Sequence, residues 1–172
     1  MRSIRILATF ILSLLYISCN GRNESAGTII PSPSPAQVQN PVKWSFSVNK
    51  VSGSEAELIL KAGIDKGWHM YSLTQEKDDG PVAITFDFEK NPNYELSGKM
   101  VEPKPHQEYD KSFEMNVRFF ENEVTYKQKV KLLSAESFSI KGTIQFQACI
   151  DVCVLQNKDF EFKIEGKGGT EN

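Results

Sequence analysis

Residues that hold transition metals are scarce in this sequence, with three cysteines and two histidines among 172 residues. Strong zinc signatures bring four such ligands at recognisable spacing, whereas His69 and His106 each stand alone. No resident metal or other cofactor is expected. Charge of one sign is lacking too, with 20 Lys+Arg against 22 Asp+Glu. With no basic patch, and no basic stretch interleaved with aromatics, nucleic acid is not expected as a partner. Helix-type periodicity is hard to find, while phenylalanine is abundant. These two features point to an all-β core.

The apolar run Ile6 to Ile17 follows Arg2 and Arg5. It falls short of the ~20 residues that cross a membrane as a helix, and its charged and apolar regions are those of a secretory signal. It ends in Tyr16-Ile17-Ser18-Cys19, which resembles the lipobox of bacterial lipoproteins. There a small residue precedes the processing site and the cysteine becomes the lipidated first residue. Tyr16 stands where leucine is usual, and an ordinary signal with an incidental cysteine is the other reading. Residues 1–18 are therefore expected to be a lipoprotein signal peptide. Cys19 is the expected lipidation site, anchoring the chain to a bacterial membrane in the periplasm. Residues 19–41 show no apolar periodicity, and the Pro-Ser alternation at 31–35 favours an extended polyproline II tether. The folded domain is expected over 42–166, with a disordered tail over 167–172.

From Val42 onward the pattern has period two, the mark of strands with one buried face. "VKWSFSV" places Val42, Trp44, Phe46 and Val48 on one face, and "EAELILKA" does the same with Ala56, Leu58, Leu60 and Ala62. "VAITFDF" offers Val82, Ile84, Phe86 and Phe88. In "NEVTYKQKVKL", Val124, Tyr126, Val130 and Leu132 oppose Glu123, Thr125, Lys127, Lys129 and Lys131. "FSIKGTIQFQA" (Phe138, Ile140, Ile144, Phe146, Ala148) and "DFEFKI" (Phe160, Phe162, Ile164) complete the set. Turn-rich breaks such as "DKG", "KDDGP" and "EKNPN" separate them. Short strands of this kind predict an immunoglobulin-like antiparallel β-sandwich.

If Cys19 carries lipid, the mature domain keeps two cysteines, Cys149 and Cys153, in "QFQACIDVCVLQ". On 138–148 the even positions are apolar, so a strand extended by one residue puts Cys149 on the polar face, within a partner's reach. The three residues between the cysteines suit a hairpin loop that the cysteines close, and cross-strand neighbours are near enough for a disulfide. An exported chain meets conditions that permit the bond. As a staple it would contribute little. Closing about five residues removes ~2 kcal/mol of unfolded-state entropy, against ~4.7 for a hundred-residue loop. Thiol–disulfide exchange is the functional alternative. A metal clip is the third reading, with His69 or His106 and the copper-suited Met70, Met100 and Met115; the isolated histidines weigh against it.

Several segments together resemble the N-terminal periplasmic domain of the thiol:disulfide interchange protein DsbD. They are "GWHMYS" (67–72), "EKNPNYELSGKMVEPKPHQEYDKSFEMNVRFF" (89–120), the "VTYKQKVKL" strand and the late "FQACIDVC" hairpin. The resemblance implies an immunoglobulin-like fold and a relay of reducing equivalents. Electrons would pass between a membrane electron-transfer protein or thioredoxin-like partner and exported thiol–disulfide proteins. It implies that Cys149 and Cys153 are the redox pair, with Cys153 forming mixed disulfides. His69 and Tyr71 match the aromatic pair flanking the cysteines. The cap loop matches Gln107 to Phe113, including Glu108, with Tyr109 as the shielding aromatic.

Three departures from the family accompany this. The C-x3-C spacing is shorter than the family's insert, and prolines common after the second cysteine are replaced by Val154-Leu155-Gln156. No membrane-spanning or thioredoxin-like segment follows residue 164. The expectation is a stand-alone, lipid-tethered module working with separate partners. The competing expectation is a non-catalytic immunoglobulin-like binding or scaffold lipoprotein whose disulfide locks a hairpin.

Overall fold

Strands with one apolar face must pair edge to edge and then stack face to face to keep that face from water. The computed structural model describes residues 40–165. The expected signal peptide, Cys19, nearly all of the tether and the tail lie outside the described residues. Within them run β1 (Val42–Lys50), β2 (Glu55–Ile64), β3 (His69–Tyr71), β4 (Thr85–Phe88), β5 (Tyr94–Val101), β6 (His106–Asp110), β7 (Met115–Glu121), β8 (Glu123–Leu132), β9 (Phe138–Cys149) and β10 (Cys153–Ile164).

One sheet has the order β1-β2-β8-β5, and the other β10-β9-β3-β7-β6. Strand β4 also pairs with β9, further along the edge that β3 occupies. Every pairing is antiparallel. The result is the immunoglobulin-like antiparallel β-sandwich that the alternation predicts.

Aromatic side chains join the two sheets. Trp44 of β1 meets Phe146 of β9 at 5.6 Å between ring centroids. Phe46 meets Phe162 of β10 at 5.8 Å, and Tyr126 of β8 meets Phe86 of β4 at 5.0 Å. Such offset and edge-on pairs contribute beyond the area they bury. Leu58, Leu60, Ala62, Ile140 and Ile144 fill the space between them, and all are fully buried.

Two positions depart from the alternation. Val82 is expected in the core but is 42 % exposed. The strand begins only at Thr85, and the Val82 N–H is spent on the Gln147 side chain (2.8 Å). Gln128, by contrast, is buried on the core side of β8. A β-bulge in β5 interrupts the β5–β8 register between Ser97 and Val101. The Gln128 amide donates to the Ser97 and Gly98 carbonyls there (3.4 Å each), so its burial leaves no amide proton stranded.

Close approach of backbone explains one glycine. A Cβ on Gly142 of β9 would run into the Asp87 carbonyl of β4 and the Phe160 ring of β10. Gly142→Ala is therefore expected to force β4 away and cost about 1–3 kcal/mol, the usual range for overpacking. Urea unfolding checks this, and an unchanged midpoint would refute the close-approach account.

Candidate active site at the β9–β10 hairpin

Strands β9 and β10 pair along their full twelve-residue lengths, and the register ends with Cys149 opposite Cys153. Opposed residues of an antiparallel pair share a face and lie close together. Here the Cα atoms are 4.1 Å apart and the sulfurs are joined in a disulfide. The Ile150 N–H closes the intervening loop on the Val152 carbonyl (3.1 Å).

The two cysteines differ in access. Cys153 is exposed on β10, an edge strand of its sheet, whereas Cys149 is only 2 % exposed. Strand parity leads one to expect an accessible Cys149, and this needs correction. The sulfur does leave the sheet on the side away from the core. However, Tyr71, Met115 and Val117, with Phe113 and Phe119 beside them, form a second apolar cluster over that side. Parity assigns a side chain to a face; it does not say whether the face is wet.

Strand β3 brings the neighbouring groups. His69 lies opposite Cys149 on one side and Glu121 of β7 on the other. One row across the sheet therefore reads Cys153, Cys149, His69, Glu121. The His69 ring sits edge-on to Tyr71 and tilted against Phe119, each at 5.2 Å, and its Nε2 is 3.4 Å from the Tyr71 hydroxyl. Burial lowers the His69 pKa, while the carboxylates of Glu121 and Asp110 act in the opposite sense. Burial, aided by the Asp110 charge, pushes the Tyr71 phenol up.

The segment Gln107 to Phe113, expected as a cap loop, is mostly the strand β6 and a turn. The Asp110 carboxylate accepts the N–H groups of Ser112 (2.7 Å) and Phe113 (3.3 Å), which closes the turn at the end of β6. In the β6–β7 register, Glu108 and Asp110 oppose Val117 and Met115, on the cluster's side. Gln107 and Tyr109 oppose Arg118 and Asn116, on the other side. Tyr109 is accordingly 58 % exposed, and the aromatic packed on the Cys149 cluster from this segment is Phe113.

Residues with no local sequence signal fix this hairpin. The Gln75 amide and the Arg118 backbone exchange two hydrogen bonds (2.8 and 2.9 Å), and Glu76 accepts the Asn116 N–H (2.9 Å). The β3–β4 connection thus imitates a strand along β7 with side chains. Near Cys153 in the chain, Ile150, Val152 and Leu155 are exposed apolar side chains, with the exposed Asp151 between the first two.

The family model described as thiol:disulfide interchange protein DsbD, N-terminal, matches residues 36–164. The chain belongs to the DsbD N-terminal domain family. Among solved structures it is similar to the N-terminal periplasmic domain of ScsB from Proteus mirabilis, with 17 % identity and a TM-score of 0.55. That match covers 72 % of this chain and 46 % of the other, so the chain spans about half the length of that structure. The reduced DsbD N-terminal domain of Neisseria meningitidis is 19 % identical, with 73 % and 86 % of the two chains covered and a TM-score of 0.45. The complex between the DsbD and PilB N-terminal domains of the same organism matches at 17 % identity, 78 % and 93 % coverage and a TM-score of 0.47. No curated protein matches the chain.

The DsbD-type domain seen here makes different demands on its two candidate shields. Phe113→Ala should open the cover over Cys149 and speed reduction of the disulfide by dithiothreitol several-fold. Tyr109→Ala should leave the rate unchanged. Equal acceleration by both variants would show that the side assignment from the β6–β7 register is wrong.

Proposed function

We propose that the domain performs thiol–disulfide exchange between exported proteins, relaying reducing equivalents through Cys149 and Cys153. The observation that carries this reading is the unequal access of the two sulfurs. A partner thiolate reaches the exposed Cys153 Sγ and displaces Cys149, whose thiol stays sheltered from competing oxidants and thiols. The bond is otherwise poorly placed for stability. It closes a short loop between strands that a twelve-residue ladder already joins, and it contributes ~2 kcal/mol at most.

Cys153 is the sulfur that forms mixed disulfides, and the residues at its margin choose the partner. Ile150, Val152 and Leu155, 46 %, 60 % and 58 % exposed, form an apolar collar suited to the rim around the reactive sulfur of a thioredoxin-like protein. A membrane electron-transfer protein supplies the electrons or receives them. Cys19, lipidated, holds the domain at a membrane facing the periplasm, with residues 20–41 as the tether. Membership of the DsbD family supports the exchange reading, and the periplasmic setting named for the ScsB domain supports the compartment.

Two single variants and one double variant test this. Cys149→Ser leaves Cys153 free and should accumulate reductant-sensitive covalent adducts with thioredoxin-like proteins, while Cys153→Ser should accumulate none. Absence of adducts, together with a native pair that resists thioredoxin-type dithiols, would favour the scaffold reading. In that case the double Cys→Ser variant keeps its partners and loses only about 2 kcal/mol of stability.

A further inference from the structure

A thiol shut away from water needs a local group to exchange its proton. Burial in apolar surroundings holds a thiol protonated and unreactive, and Cys149 is almost fully covered. His69 opposes Cys149 directly in the β3–β9 register, so the two side chains leave the same face with their Cβ atoms about 5 Å apart. Glu121 opposes His69 in turn from β7. Sulfur, imidazole and carboxylate thus stand in one row on three adjacent strands, although residues 69, 121 and 149 are far apart in the chain. The groups that face His69 are Cys149 from β9, Tyr71 from β3, Glu121 from β7 and Asp110 from β6. Phe119 covers its ring, and His106 of β6 packs on Phe119.

Resting on the exchange reading above, we infer that His69 is the proton carrier for Cys149 and that Glu121 positions its imidazole. In the opening direction a thiolate of a partner dithiol attacks Cys153 Sγ. The Cys149–Cys153 bond breaks, its electron pair stays on Cys149 Sγ, and the imidazolium proton of His69 ends there. His69 regains from solvent the proton that the partner thiol lost on ionising. The second partner thiolate then attacks the partner sulfur bound to Cys153 and expels Cys153 thiolate, which takes a proton from water. The partner leaves as a disulfide, and both cysteines here are thiols. In reverse, neutral His69 takes the Cys149 proton. The resulting thiolate attacks Cys153 Sγ within a mixed disulfide and expels the partner's thiolate.

The surroundings suit a group that must work both ways. Burial favours the neutral imidazole that accepts the proton, while the Glu121 and Asp110 carboxylates favour the imidazolium that returns it.

The test uses the full chain with dithiothreitol as probe, and follows disulfide reduction from about pH 5 to about pH 8, across the range where histidine titrates. Rates are divided by the dithiothreitol thiolate concentration. In the native chain this corrected rate rises as pH falls through the His69 titration. His69→Gln and His69→Tyr flatten the profile and slow opening by about tenfold or more at its acid end, the lower range of a positioned acid. Glu121→Gln removes a charge that favours imidazolium and moves the inflection to lower pH. The His69 resonance, followed by NMR in the oxidised chain, titrates with the same midpoint as the kinetics, and both move together in Glu121→Gln.

A His69→Gln chain that folds by circular dichroism and keeps the native rate and profile overturns the inference. So does a kinetic inflection that does not follow the His69 titration. Glu121→Gln lies at an exposed position and carries the test should the His69 variants misfold. A native disulfide no more reducible than that of an unstructured peptide is a different result, because the exchange reading then falls and this inference falls with it.

Discussion

Strand β9 is held from both sides, and its register decides where every group at the sulfur pair can lie. Its inner face carries Ile140, Ile144, Phe146 and Ala148, all buried in the sandwich. A slip of one residue would turn all four outward, and the three larger side chains are each worth about 1.5–3 kcal/mol when fully buried. The core therefore dictates that Cys149 points away from it. The same ladder sets Cys153 opposite Cys149 on one side, and β3 sets His69 opposite it on the other. Groups placed by paired strands are positioned more tightly than groups placed by loops.

From this constraint follows the inequality between the sulfurs. Cys153 ends on an edge strand with apolar side chains around it, and Cys149 ends under the turn that carries Phe113. A disulfide that is open on one side and covered on the other directs an attacking thiolate to one sulfur and makes the other the leaving group. The covering hairpin pairs with β3 only at residues 119–121, and beyond them Gln75 and Glu76 hold β7 with side chains. That outer part of the cover is held less firmly than a full strand pairing would hold it.

The sandwich is legible in the sequence wherever a strand has one wet face and one dry face. Strands β1, β2, β8, β9 and β10 alternate cleanly, and the alternation names most of their buried residues, with Gln128 of β8 and Cys149 of β9 as exceptions. Strand β3 is too short to show a period, β6 is exposed along most of its length, and β5 buries little beyond Tyr94. Strand β7 has apolar residues on both faces, with Phe120 in the main core and Met115 and Val117 in the second cluster. None of these four carries a simple period-two signal. At the site, the spacing of the cysteines makes their pairing readable, and the family likeness marks His69 and Tyr71. The burial of Cys149, the outward turn of Tyr109 and the His69–Glu121 row depend on which strands become neighbours. Local pattern does not encode that.

Residues 150–152 lie between the last paired positions of β9 and β10, outside the ladder. Their number can change without turning either sulfur to the other face, because both cysteines are carried by strand residues. The three-residue spacing between the cysteines therefore sets the border of the sulfur pair and not its orientation. The tip is uncoupled from its base. Ile150 and Val152 can be replaced while the strands beneath keep the same bond in the same place.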